Sequence, residues 1–310
     1  MRIAIVAPGA VGGYFGALLA RAGEDVRALA RGAHLAAIRG RGLRVEGPDG
    51  DYTVRLEAGD DAARLGPADV VLFAVKLYQA EDAARAAAPL FGPGTVGISL
   101  LNGVTGPEVI AGALPGATVV GGCAYVSAVL AAPGHIRHNG AMSAIVVGMP
   151  ESDPARARVE EFVGRCRRAG FGAEITGDAR AALWRKMVGL SANAALTAAA
   201  RLPAGPLYSD PDVLAVAAGL VGEAAAVARA AGGALPDDAE GAALRQLRGF
   251  PPGMYASMYH DLARGAPLEV DGLSGHVVRE GARLGVPTPH HAALHAVLKP
   301  HRHGAPSMPG

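Results

Sequence analysis

Hydrophobic and polar positions along this chain follow two different periods. In the first half, short apolar runs rich in β-branched residues recur between helix-patterned segments: RIAIVA (2–7), ADVVLFAVK (68–76) and GTVGISLLNG (94–103). Apolar runs of this length without polar alternation predict strands buried on both faces of a parallel sheet. AVGGYFGALLARAG (10–23) predicts a helix stopped near Gly23, and DVRALAR (25–31) a second strand. GLRVEGPDGDYTVRLEA (42–58) sets two alternating runs around Pro-Asp-Gly, a hairpin signal. The stretch 117–148 contains several short β runs broken by Pro-Gly and Asn-Gly, which predicts antiparallel additions. ARARVEEFVGRCRRAG (155–170) reads as an amphipathic helix and FGAEIT (171–176) as a last strand. From Asp178 onward only helical patterns occur, in segments beginning near residues 178, 210, 237, 253, 268 and 289. The expected fold class is α/β: a Rossmann-like dinucleotide-binding domain over residues 1–175, then an all-helical domain over 176–302. The last residues, 303–310, read as a disordered tail.

Composition narrows this picture. At 310 residues the chain is long enough for two cores. A formal charge of +1, with 29 basic and 28 acidic residues, gives no sign of a nucleic-acid or membrane-surface partner. No run of eighteen apolar residues predicts a membrane span. Cys123 and Cys166 stand far apart and form neither a disulfide framework nor a metal knuckle, so a reducing, cytoplasmic setting is the expectation. His291 and His295 have a ligand-like i, i+4 spacing but lack an accompanying Glu, and no metal site is expected.

The candidate chemistry begins at APGAVGGYFG (7–16). A loop of this kind needs a first glycine for the tight turn, a second for backbone approach to a pyrophosphate, and a third for close helix–strand packing. Gly9 and Gly12 fill the second and third roles, while Ala7 replaces the first. A methyl at Ala7 is tolerable if φ is negative there and costly if φ is positive. The helix beginning at Ala10 and Val11 would aim its N–H groups at the phosphates. At the tip of the second strand stands Arg31, which suits a 2′-phosphate, whereas Asp25 lies at the strand's opposite end. The expected cofactor is therefore NADPH rather than NADH.

Lys76 and Asn102 follow apolar strands at their carboxyl ends, where open α/β sheets bind ligands. Each also has an ordinary reading, as a surface charge and as a turn residue. In the helical half, Lys186, Asn193 and Thr197 share one face of an otherwise apolar helix, a polar stripe that fits a cleft. Ser257, Asp261 and Glu269 fall near helix ends, where capping is the alternative to function.

In order and spacing, GAVGGYFGALLARAGEDVRALARG, AVKLYQ, LLNGV, PGHIRHNG, LWRKM, SMYHDL, LEVDGLSG and GVPTP together resemble the ketopantoate reductase (2-dehydropantoate 2-reductase) family nearly end to end. The resemblance implies NADPH-dependent reduction of a 2-oxo acid in the pantothenate and coenzyme A pathway. It implies that Gly9, Ala10, Val11 and Gly12 hold the pyrophosphate and Arg31 the 2′-phosphate. It places Lys76 and Asn102 beside nicotinamide and substrate, makes Lys186 the catalytic lysine, and gives Ser257 and Glu269 to the keto acid, with Asn193 as a nearby donor. Where the best-known members carry asparagines four and eight residues after that lysine, this chain has Leu190 and Ala194. Three readings follow: ketopantoate reduction, the same chemistry on another 2-oxo acid or carbonyl, and NADP(H) binding without turnover. A homodimer is a further expectation, from the apolar helices.

Overall fold

Ile3 and Ile5 of β1 (Arg2–Val6) turn to one face of the sheet and Ala4 and Val6 to the other, as the two-residue period of a strand requires. None of the four is more than 3% exposed, so the strand is covered on both sides. The computed structural model describes residues 1–48 and 50–306. Its contacts divide the chain into one unit of residues 1–101 and 105–182 and a second of residues 102–104 and 183 onward.

The first unit runs β1, α1 (Ala10–Arg21), β2 (Asp25–Leu29), α2 (Gly32–Arg41), β3 (Leu43–Glu46), β4 (Tyr52–Val54), β5 (Glu57–Gly59), α3 (Ala62–Leu65), β6 (Val70–Phe73), α4 (Ala80–Ala87), β7 (Val96–Ser99), α5 (Gly106–Ala113), β8 (Thr118–Ala132), β9 (His135–Gly148), α6 (Arg156–Arg168) and β10 (Gly172–Thr176). Neighbouring strands follow the order β4-β3-β9-β8-β7-β6-β1-β2-β5, with β10 pairing β9. From β8 through β5 every pairing is parallel. The chain leaves β1 toward β2 on one side and returns to β6 on the other, so the strand order reverses between β1 and β6. Such switch points are where open α/β sheets bind ligands, beyond the carboxyl ends of the strands. On one face, Ile3, Ile5, Leu72 and Ile98 meet Phe15 and Leu19 of α1 and Phe162 of α6. On the other, Val6, Val71 and Phe73 meet Ala84 of α4 and Ile110 of α5.

The predicted hairpin forms as β3 and β4. The stretch 117–148 departs from expectation. It is two long antiparallel strands, not several short ones. Pro133-Gly134 makes the turn, with Gly134 at φ 73°. Asn139-Gly140 is instead absorbed in an irregularity, where residues 139–142 of β9 stand between the partners of Val126 and Ala128.

α7 (Ala179–Ala200) crosses the division between the units. The second unit continues with α8 (Ala204–Ser209), α9 (Pro211–Ala230), α10 (Ala239–Arg248), α11 (Ser257–Ala263), α12 (Ser274–Leu284) and α13 (Pro289–Leu298). No strand follows β10 among the described residues. α9 is long and apolar enough by composition to cross a membrane, with mean hydropathy 1.7. It packs against α8, α10, α12 and α13. Its Glu223 accepts bonds from the backbone N–H groups of His290 (2.8 Å) and His291 (2.9 Å). Those are orphan donors at the start of α13, whose own N-cap Thr288 gives no side-chain bond. Part of the expected disordered tail is placed: Ala305 N donates to Gly265 O at 3.0 Å. The rest of that expectation, 307–310, lies outside the described residues.

Candidate active site

The β1–α1 loop settles what Ala7 costs. Ala7 sits at φ 59°, in the left-handed region. Its N–H donates to Leu29 O (3.0 Å) and its carbonyl accepts from Gly9 N (2.7 Å), closing a tight turn around Pro8. A side chain with a Cβ costs about 1–2 kcal/mol in this conformation, partly offset by the chain entropy that a glycine would lose. Ala7→Gly is therefore expected to raise stability by about 0.5–1 kcal/mol. The measurement is the urea midpoint at unchanged slope, and a lower midpoint would mean that the turn is not strained.

Gly9 N-caps α1, and a Cβ built on it meets nothing within 4 Å, so the space beside this backbone is open. The first bond of the helix runs from Gly13 N to Gly9 O (2.8 Å), and no side chain caps the N–H groups of Ala10, Val11 and Gly12. At Gly12 a Cβ would stand 2.9 Å from both Ala74 Cβ and Ile5 Cγ2, so its bareness lets the helix lie close on the strands. Gly13 is equally constrained, by Pro8 O at 2.6 Å. Arg31 lies two residues beyond β2 rather than in it. It is the exposed N-cap of α2 and has no ionic partner among the described residues. Asp25, at the other end of β2, is taken by Arg2 (3.0 Å) and Arg27 (3.2 Å). Lys76 lies three residues past β6, partly buried, where it N-caps a single 3-10 turn.

In the second unit, Lys186 of α7 donates from Nζ to Asn102 Oδ1 at 3.0 Å, and both side chains are partly buried. Asn102 follows β7 by three residues, so the chain carries it off the sheet just before Gly103, at φ 89°. Leu190, one helical turn from Lys186, is partly exposed, and Ala194 is 1% exposed. Asn193 and Thr197 correct the expectation of a polar stripe open to a cleft. Asn193 is 5% exposed and its Oδ1 accepts from Tyr208 Oη at 2.8 Å. Thr197 is wholly buried and returns its hydroxyl to Asn193 O, four residues back (2.7 Å). Burial pushes the Tyr208 phenol pKa up, so it remains a donor. Tyr208 carried no sign of this role in the sequence, because its partner comes from another helix.

Ser257 is exposed as the first residue of α11. Glu269 is buried at 6% exposure. Asp261 is held by Arg264 at 2.7 Å. Burial, then the charge of Arg264, keeps the neighbouring His260 imidazole below its usual pKa, against the pull of Asp261. His291 and His295 are engaged separately, with Leu220 O (3.0 Å) and Asp271 (2.7 Å). Among the described residues no group of three or more His, Cys, Asp or Glu could hold a metal ion.

The family model for ketopantoate reductase PanE/ApbA matches residues 3–152, and its C-terminal companion matches residues 178–302. The chain belongs to the ketopantoate reductase family. Its members are oxidoreductases, and so is this protein. A solved ketopantoate reductase of this family from Ralstonia eutropha is 37% identical, covers 97% of this chain and 98% of its own, and has a TM-score of 0.88. A curated 2-dehydropantoate 2-reductase from Mesorhizobium japonicum is 30% identical over 96% of this chain and 97% of its own length. D-mandelate dehydrogenase, solved with NADH and anilino(oxo)acetate, shares the fold at 22% identity and a TM-score of 0.89.

Proposed function

We propose that the protein reduces 2-dehydropantoate (ketopantoate) to pantoate with NADPH. The observation that carries this reading is the Lys186–Asn102 pair. The amide oxygen of Asn102 accepts from the ammonium at 3.0 Å and fixes its position. A lysine held in this way can meet the negative charge that grows on a carbonyl oxygen and deliver a proton there. Asn102 sets the direction of that donor. Glu269 and Ser257 are assigned to the keto acid's polar ends.

The first unit fits the dinucleotide. Open space beside Gly9, the uncapped N–H groups of Ala10, Val11 and Gly12, and the unpaired Arg31 are the features a pyrophosphate and a 2′-phosphate require. When bound, the nicotinamide supplies hydride to the substrate's C2. Arg31→Ser is expected to weaken NADPH binding by about 10–100-fold, the value of a charge-assisted bond, and to leave NADH nearly unchanged. Equal losses for both cofactors would remove Arg31 from the 2′-phosphate.

A second reading keeps the chemistry and changes the substrate to a 2-oxo acid with an apolar side chain. Leu190 favours it, since this partly exposed apolar residue stands one turn from Lys186. The test is NADPH absorbance with a panel of 2-oxo acids, NADH running alongside. Oxidation with 2-dehydropantoate as the best substrate by kcat/KM supports the first reading. A better apolar 2-oxo acid supports the second.

A further inference from the structure

The dinucleotide loop is held by a side chain that the assignment above does not use. His34 lies on the first turn of α2, three residues after Arg31. Its Nδ1 accepts the backbone N–H of Gly134 at 2.9 Å. A ring nitrogen that accepts carries no proton, so the hydrogen of the neutral ring is on Nε2. Nε2 stands 2.7 Å from Pro8 O, to which it donates. One imidazole thus joins the turn of the β8–β9 hairpin to the carbonyl at the centre of the β1–α1 loop.

The loop has reason to need such a tie. Ala7 is strained at φ 59°, and Pro8 O lies so close over Gly13 that a Cβ there would stand 2.6 Å from it. The tight turn around Pro8 points that carbonyl out of the loop, where His34 receives it. α2 carries Arg31 at its N-cap, so the same bond fixes the helix that holds the 2′-phosphate candidate against the loop that holds the pyrophosphate candidate. Gly134 is itself constrained, at φ 73°, and a Cβ on it would stand only 2.8 Å from Ala37 Cβ, so the hairpin turn is a fixed anchor for the ring.

We infer that His34 is a positioning residue for the dinucleotide: its bond to Pro8 O holds the phosphate-binding loop in register with Arg31. The inference rests on the NADPH reading above. The experiment measures NADPH affinity by its fluorescence, together with KM and kcat, for wild type, His34→Ala, His34→Gln and His34→Asn. Gln places an N–H donor near the position of Nε2, and Asn places an acceptor near that of Nδ1. His34→Ala is expected to weaken NADPH binding about tenfold, the value of one lost hydrogen bond that the bound state uses, with kcat within about threefold. His34→Gln recovers most of the affinity, and His34→Asn does not. Unchanged NADPH affinity in His34→Ala overturns the inference. So does recovery by Asn in place of Gln, which would assign the effect to the Gly134 anchor. Should His34→Ala fail to fold, the Gln and Asn variants decide the matter between them. A wild-type protein that binds no NADPH overturns the cofactor reading itself, and this inference with it.

Discussion

Lys186→Ala is expected to lower kcat by about 10²–10⁴-fold while NADPH binding stays within a few-fold of wild type. Two effects contribute. The variant loses the proton donor, and it loses the cation that meets the negative charge forming on the substrate oxygen. The size of the loss depends on the ammonium being held rather than merely present, and the 3.0 Å bond to Asn102 Oδ1 does this. Asn102→Ala should consequently lower kcat by a smaller factor, since the donor remains but its direction is no longer set. Asn102→Asp separates geometry from charge. It keeps an acceptor at the same distance but sets a carboxylate beside Nζ, raising the lysine's pKa and making it a weaker acid. The pH profile of kcat should then move upward. Lys186 is partly buried at the side of α7, and its removal leaves the Asn193–Tyr208 pair intact, so the variant is expected to fold. If kcat survived within a few-fold, the proton would have to come from elsewhere, and Lys186 would lose its role.

The strands of the parallel sheet were legible because burial on both faces leaves a continuous apolar run with no competing interpretation. β1, β6 and β7 lie within the predicted runs 2–7, 68–76 and 94–103, each shorter than its run. Turn dipeptides were less informative. Pro133-Gly134 and Asn139-Gly140 carry the same local signal, but only the first reverses the chain. Whether a Gly at positive φ makes a hairpin or a bulge is decided by strand pairing on either side, which is not local. Helical period placed Asn193 on the face of Lys186 and could go no further. Which way that face points at each turn depends on the neighbouring helices, and α8 brings Tyr208 to Asn193. Arg31's place near the carboxyl end of β2 was legible by counting, although it lies two residues past the strand, at the N-cap of α2. Its three-residue neighbour His34 was not, because its partners Pro8 and Gly134 lie 26 and 100 residues away. Ala7 stood between. The departure from glycine was visible in the sequence, and its cost was fixed only by the sign of φ.

Below neutral pH the protein is expected to lose stability through His291, and His291→Gln should suppress that loss. The imidazole is fully buried. Its Nε2 donates to Leu220 O, and its Nδ1 is buried with no hydrogen-bond partner. Burial pushes its pKa down from 6.5 to about 4, against the opposing influence of the Glu223 charge and the Leu220 bond. In the folded protein the ring therefore stays neutral until about pH 4, while in the unfolded chain it takes up a proton near pH 6.5. Between those values the unfolded state binds more protons, so stability rises with pH and is lost as the pH falls. The full difference is worth about 3 kcal/mol, of which about 2 kcal/mol is gone by pH 4.5. Gln keeps an N–H that can reach Leu220 O and has no titration of its own. The variant should be somewhat less stable than wild type at pH 7, because the ring's packing is lost, and should close that gap by pH 4.5. Urea midpoints for both proteins at pH 7 and 4.5 measure this directly. An equal fall in the two midpoints would mean that the imidazole is already charged in the native state, with Glu223 as its counter-ion, and the buried neutral ring would have to be abandoned.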